Sequence, residues 1–285
     1  MGTVHLLVNP SSRRGAVDAV AVEAELVKRG AHVERLDAPD ARSVADSIDR
    51  AAPQRVIAVG GDGLIHHALP ALAERDIVLG IVASGTGNDF ARALQLPRRR
   101  RAAARRALGP ARPVDLLRLR FDDATVLVAT VATGGFSGRV NDVANRRSFP
   151  PGQLKYTVAA FSELGRLEHV LVDFSEPAEL SGPVALFAIA NTRFFGGGMA
   201  IAPDADPRDG QFALSVVGDV PAWQLALVLP AVFIGQHVRH PKVRTATGRQ
   251  ARLEQADDVW ADGECVGHGA FSVEVVPDAL QVAAF

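Results

Sequence analysis

One cysteine, Cys265, one tyrosine and two tryptophans stand among 285 residues. A single cysteine excludes an internal disulfide framework and any zinc centre built from several thiolates, and it suits a reducing compartment. Charge of one sign is missing as well. The 31 Lys and Arg against 32 Asp and Glu leave a net charge of −1, so no global field points to nucleic acid. No long hydrophobic run is present: the longest, residues 223–235, is too short to span a bilayer and contains Pro230. The start, MGTVHLLVNP, lacks the basic and long apolar regions of a secretory signal, and Leu6 stands where N-myristoylation needs Ser or Thr. These absences point to a cytoplasmic protein that touches a membrane, if at all, at its inner face. With 48% apolar residues the chain can still build two ordinary cores.

What is present is concentrated in residues 55–94. A buried-strand pattern, Val56-Ile57-Ala58-Val59, stops at Gly60-Gly61-Asp62-Gly63. About twenty residues on, a second apolar run over 78–82 stops at Ser84-Gly85-Thr86-Gly87-Asn88-Asp89-Phe90. Glycine at the carboxyl end of a buried parallel strand lets backbone amides crowd a ligand. Two such loops on successive strands predict a site for a phosphorylated ligand in the crevice of an open α/β sheet.

Around this pair the pattern alternates. Strands are expected over 4–8, 32–36, 55–59 and 77–82, with helices over 16–29 and 41–52, which reads as a doubly wound, mostly parallel sheet. The first strand ends in Asn9-Pro10-Ser11-Ser12-Arg13-Arg14-Gly15, a strand-to-helix turn whose free amides suit phosphate. The run PRRRRAAARR then places Arg98, Arg101 and Arg105, with Arg106 at its end, on an expected helix. It reads as a solvated surface or as a patch for anionic lipid. Beyond residues 113–120 the character changes to short β-type runs separated by Gly, Pro and Asp, with helices near 154–166 and 221–236. That predicts a mostly antiparallel β-sandwich. The domains are expected at 1–115 and 116–285.

NPSSRRG, GGDG, GTGNDFAR, VDLLRL from Val114, NTRFFGGGMAIAPDADPRDG from Asn191 and DGE at Asp262 run in one order along the chain. In that order they resemble the bacterial diacylglycerol kinase-like lipid kinases, a superfamily shared with sphingosine and ceramide kinases. GGDG alone is also found in NAD kinases; the set together is specific.

The resemblance implies an α/β nucleotide domain, a β-sandwich domain, and an active site in the cleft between them. It implies transfer of a phosphoryl group from ATP, with Mg, to a lipid hydroxyl, diacylglycerol being the default acceptor. Asn9, Pro10, Ser11, Ser12, Gly15, Asp37, Gly60, Gly61, Asp62, Gly63, Leu64, Ser84, Gly85, Thr86 and Asn88 then line the nucleotide. Asp62, Asp262 and Glu264 become the catalytic carboxylates. Asp206, Asp209 and Gln211 become the ligands of a structural magnesium, with Asp115 tied into that network. A homodimer and membrane contact through Arg98–Arg106 are also implied as options.

The chain departs from the family at three places. Leu64, His66 and His67 replace Thr and Asn-Glu after GGDG, and Asp37 replaces the threonine that ends the second strand. Adjacent helical histidines diverge by about 100°, so a metal shared by His66 and His67 is not expected. Two other readings stay open: an NAD kinase-like enzyme, from the shared GGDG, and a nucleotide-binding regulator with little catalysis, from Leu64, His66 and His67.

Overall fold

The computed structural model describes residues 2–8, 13–146, 149, 154–174, 178–254 and 258–284. It divides into two compact units, residues 1–115 with 277–285, and residues 116–276.

In chain order the first unit holds β1 (Thr3–Val8), α1 (Arg13–Lys28), β2 (His32–Arg35), α2 (Ser43–Ala51) and β3 (Arg55–Gly60). It continues with α3 (Asp62–Leu72), β4 (Val78–Ala83), α4 (Asp89–Ala93), α5 (Arg100–Ala107) and the start of β5 (Arg112–Arg120). The second holds the rest of β5, β6 (Thr125–Val128), β7 (Val131–Gly135), α6 (Phe136–Arg146), α7 (Leu154–Glu163) and β8 (Val170–Val172). After these come β9 (Gly182–Ala190), β10 (Phe212–Gly218), α8 (Ala222–Val232), β11 (Val243–Gly248), β12 (Gln250–Leu253), β13 (Asp258–Ala261), β14 (Glu264–His268) and β15 (Phe271–Val282).

The first unit is a parallel α/β sheet. β1 pairs with β2 and β3, β3 pairs with β4, and all three pairs are parallel. β3 is buried from Val56 to its end because helices cover the sheet, which is why it reads as an unbroken apolar run. Ala19, Val22 and Leu26 of α1 fall at helical spacing and join Leu6, Ile57 and Val59 in one core. α1 ends where Gly30 takes a left-handed φ of +80°. The alanines of α5 serve close approach: a Cβ on Gly80 of β4 would lie 2.6 Å from the Cβ of Ala107. The helix begins only at Arg100, because Arg99 is extended after Pro97. The expected single face of Arg98, Arg101 and Arg105 therefore loses Arg98, and Arg100 pairs with Asp18 at 2.7 Å.

The end of β15 closes this sheet beside β4, with Gln281 and Val282 opposite Val78 and Leu79 in parallel. Within the same unit the buried Asp115 carboxylate accepts the amide of Asp278 at 2.9 Å, where β15 takes a left-handed φ of 53°. The sequence reading tied Asp115 to a metal network; one of its partners is the backbone at this kink.

The second unit is antiparallel. Its larger sheet runs β11-β10-β9-β7-β13-β14, with β8 on β9. Phe187 and Ile189 of β9 face a sandwich core with Leu117, Leu119, Phe212, Leu253 and Phe271. Ala188 and Ala190, one residue out of phase, face a second core with Phe136, Ala159, Leu225 and Leu229 from the helices. Burial on both faces explains the continuous apolar run of β9.

Candidate functional site

β3 delivers Gly60 and Gly61 to the start of α3, and β4 delivers Ser84 and Gly85 to the start of α4. The two loops touch backbone to backbone. A Cβ on Gly85 would lie 2.5 Å from the Cα of Gly61, and one on Gly61 would lie 2.9 Å from the Cα of Gly85. No real Cβ tolerates that approach, so both positions require glycine for space and not for φ. The Ser84 amide donates to the Gly60 carbonyl at 2.9 Å and continues the β3–β4 ladder into the loops.

Asp62 locks the pair. Its Oδ2 accepts the Asp89 amide at 3.0 Å and its Oδ1 accepts the Phe90 amide at 3.1 Å. An aspartate at the start of a helix ordinarily serves its own first turn; this one serves the first turn of α4. Asn88, with a left-handed φ of 55°, closes the second loop on itself: its Oδ1 accepts the Gly85 amide at 2.9 Å and its Nδ2 donates to the Gly85 carbonyl at 2.8 Å. The buried Ser84 Oγ finds no hydrogen-bond partner among the described residues. At the start of α3 the Leu64 and Ile65 amides donate to the Gly61 carbonyl at 3.1 and 3.3 Å, and the positive end of the helix favours anions. An anchored pair of glycine loops, a helix start and a spare hydroxyl suit the phosphates of a nucleotide.

Of the other residues expected at the nucleotide, Asn9, Pro10, Ser11 and Ser12 lie outside the described residues, and Gly15 falls inside α1. Asp37 is exposed after β2, with its carbonyl accepting the Ser47 hydroxyl. Thr86 is exposed on the second loop, and Gly63 lies in the first turn of α3. Leu64 is buried: a Cβ on Gly60 would lie 2.5 Å from its Cδ2, so this side chain packs down on the end of β3. His66 and His67 meet edge to face, with ring centroids 5.5 Å apart.

In the second unit Asp262-Gly263 forms the two-residue turn joining β13 and β14. Both residues have left-handed φ, 49° and 93°, and Ala261 pairs with Glu264. The Asp262 carboxylate accepts the Ala129 amide at 3.1 Å, the Thr130 amide at 3.0 Å and the Thr130 hydroxyl at 2.5 Å. The other side of that β6–β7 turn belongs to Asn191, which is fully buried. Its Nδ2 donates to the Ala129 carbonyl at 2.9 Å and its amide to the Thr130 carbonyl at 2.8 Å. Asn191 and Thr130 were not singled out from sequence for this role; the only available signal was that Asn191 opens the NTRFFGGGM segment. Glu264 is exposed beside the turn.

The residues expected to hold a structural magnesium are engaged with protein. Arg208 grips Asp206 with both ends of its guanidinium, at 2.9 and 3.0 Å, and holds that carboxyl below its ordinary range. The Asp209 carboxylate accepts the Gln211 amide at 2.9 Å, the hydrogen bond of a tight Asx turn through Gly210. Asp206 is thus held by an ion pair and Asp209 by a backbone amide, each in its own local contact.

Two family models divide the chain: the diacylglycerol kinase catalytic domain matches residues 3–119, and the YegS C-terminal NAD kinase beta sandwich-like domain matches residues 129–284. The chain belongs to the diacylglycerol kinase-like lipid kinases. This lipid kinase is 35% identical to a protein named diacylglycerol kinase from Mycobacterium tuberculosis strain H37Rv, over 99% of this chain and 95% of that one. It is 34% identical to a protein named "Probable lipid kinase YegS-like" from Xanthomonas euvesicatoria, over 84% and 80% of the two chains. A crystal structure of a Bacillus anthracis protein provisionally assigned as a diacylglycerol kinase matches it with a TM-score of 0.81. That match covers 99% of this chain and 95% of that one at 19% identity, a likeness of fold. The two-domain α/β and β-sandwich expectation holds for the lipid kinase, and the NAD kinase and regulator readings give way to it.

Proposed function

We propose that this lipid kinase transfers the terminal phosphoryl group of ATP, accompanied by magnesium, to the free hydroxyl of diacylglycerol, forming phosphatidic acid. The observation that carries the nucleotide half is the Asp62 bridge, which makes one preorganised surface from two glycine loops. A loose phosphoryl-transfer transition state mainly needs its reactants positioned and its oxygens stabilised. Gly60, Gly61, Gly63, Ser84, Gly85, Thr86 and Asn88 would line the phosphates through amides and hydroxyls. Magnesium, when bound with the nucleotide, supplies charge neutralisation on the phosphate oxygens. The acceptor half leans on the name of the 35%-identical relative.

In the transfer the acceptor oxygen bonds to the γ-phosphorus as the bond to the β–γ bridging oxygen breaks. ADP leaves, and the hydroxyl proton passes to a carboxylate. Both oxygens of Asp262 already accept protein donors, so we assign the proton to the exposed Glu264 and give Asp262 the role of positioning its turn. The test is purified protein with magnesium-ATP and diacylglycerol in mixed micelles, with products read by mass spectrometry. Phosphatidic acid and ADP in equal amounts are expected. ATP turnover without a phosphorylated lipid, or NADP formed from NAD, would overturn the reading.

A further inference from the structure

α8 is apolar on both its faces. Leu225 and Leu229 point into the core of the second unit. The opposite stripe is also apolar and faces outward: Trp223 is 63% exposed, Leu227 71% and Ile234 72%, with Phe233 partly exposed beside them. A spacing of four residues puts Trp223 and Leu227 on one face of the helix, and Phe233 and Ile234 follow in the turn at its end. No charged residue occurs from Pro221 to Gln236. The stripe cannot turn inward, because the helix is pinned. The Val232 carbonyl accepts the Ala200 amide at 2.9 Å, and just beyond, the buried His237 ring bonds the Ile201 carbonyl at 3.1 Å.

Charge beside the stripe decides what covers it. Residues 220–253 contain no Asp or Glu but carry Arg239, Lys242, Arg244, Arg249 and Arg252. Arg239, on the turn packed against the end of α8, and Lys242 just after it are exposed. Arg166, also exposed, lies on the turn that packs against α8 from the α7 side. Of the nearby acids, Glu163 is buried between Arg139 and Arg166, Glu168 pairs with Arg139 at 2.9 Å, and Asp219 is beside His169 at 3.3 Å. Asp204, next to the Pro203 that packs on Gly235, is exposed and outnumbered by the basic residues. A second copy docked on this face would bring basic residues against basic residues, whereas an anionic surface complements them. An eleven-residue helix is too short to cross a bilayer. It can lie in the headgroup layer with its apolar stripe down and tryptophan at the boundary.

We propose that the outward stripe of α8, flanked by Arg166, Arg239 and Lys242, is the surface with which this lipid kinase sits on an anionic phospholipid bilayer. The proposal rests on the lipid-substrate reading and names where the protein meets the phase that holds the substrate. Helix α5 is the weaker candidate: Arg100 is paired with Asp18, and its only apolar residues are alanines, three of the four buried.

The full chain with Trp260→Phe keeps Trp223 as its single indole. On vesicles of phosphatidylcholine and phosphatidylglycerol its emission is expected to shift to the blue and to be quenched by brominated acyl chains. Trp223→Glu with Leu227→Glu should weaken vesicle binding at least tenfold, and Arg239→Gln or Lys242→Gln about fivefold each. The double variant should lose turnover on vesicle diacylglycerol yet keep it on monomeric short-chain diacylglycerol. An unshifted Trp223 on sedimenting vesicles, wild-type protein that stays in the supernatant, or self-association abolished by Trp223→Glu would each overturn the proposal. If wild type phosphorylates neither form of diacylglycerol, the substrate reading fails, and the fluorescence result alone decides the surface.

Discussion

Asp62 and Asp262 stand in the same local sequence, an aspartate followed by glycine, and each binds two consecutive amides in a distant segment. Their glycines differ. Around Asp62, Gly61 and Gly85 meet so closely that neither has room for a Cβ. After Asp262, a Cβ on Gly263 would meet nothing within 4 Å, and only its φ of +93° asks for glycine. In the first unit glycine removes bulk so that two loops become one surface. In the second it lets a hairpin turn. The same dipeptide therefore joins two loops in one place and reverses the chain in the other, and the contact made by the missing Cβ separates the two.

The sharpest way to break that comparison is to neutralise each aspartate. Asp62→Asn keeps the shape but turns a donor toward an amide and removes the negative charge from the start of α4. Turnover is expected to fall at least about a hundredfold, the scale of losing one preorganised transition-state contact. Asp262→Asn should act mainly on stability, about 1–3 kcal/mol read from the denaturant midpoint, since it leaves an amide of the Ala129–Thr130 turn without a good acceptor. Equal losses of turnover in the two variants would erase the distinction.

Gly263→Ala tests the hairpin half. It should cost about 1–2 kcal/mol for a left-handed alanine and leave nucleotide affinity unchanged, as titration calorimetry would show. The smallest effect is expected from a third, surface carboxylate. Asp206→Asn removes an ion pair that is partly exposed and screened, so neutral-pH stability should drop by no more than about 1 kcal/mol. Because Arg208 lowers the folded pKa of Asp206 below its ordinary 3.8, that contribution is present above 3.8. It is lost as pH falls through the lower folded value, and melting curves of wild type and variant should converge there.

The elements of both units were legible where burial is two-sided. β3, β4 and β9 announce themselves as unbroken apolar runs, and the glycine loops follow directly. Partners distant in sequence were not legible. Nothing near Asp62 indicates that it serves amides 27 and 28 residues away, and nothing near Asp262 points to Thr130. The runs 271–276 and 280–284 read as two strands, but Pro277 and Asp278 are accommodated by a left-handed kink held by Asp115, and the strand continues to pair with β4. Asp206 and Asp209 were named as metal ligands through the family resemblance. Arg208, two residues after Asp206 and next to Asp209, supplies a positive charge for Asp206 that the motif did not announce. The stripe on α8 read as a helix but not as an outward face, since Leu225 and Leu229 are as apolar as Trp223 and Leu227.

The most direct test of the central claim is the affinity of ATP for Gly85→Ala, measured by calorimetry beside a thermal melt that shows the variant folded. A new Cβ must push the two loops apart, so nucleotide binding is expected to weaken at least tenfold. Unchanged affinity in a folded variant would show that the joined glycine loops are not the surface that holds the nucleotide.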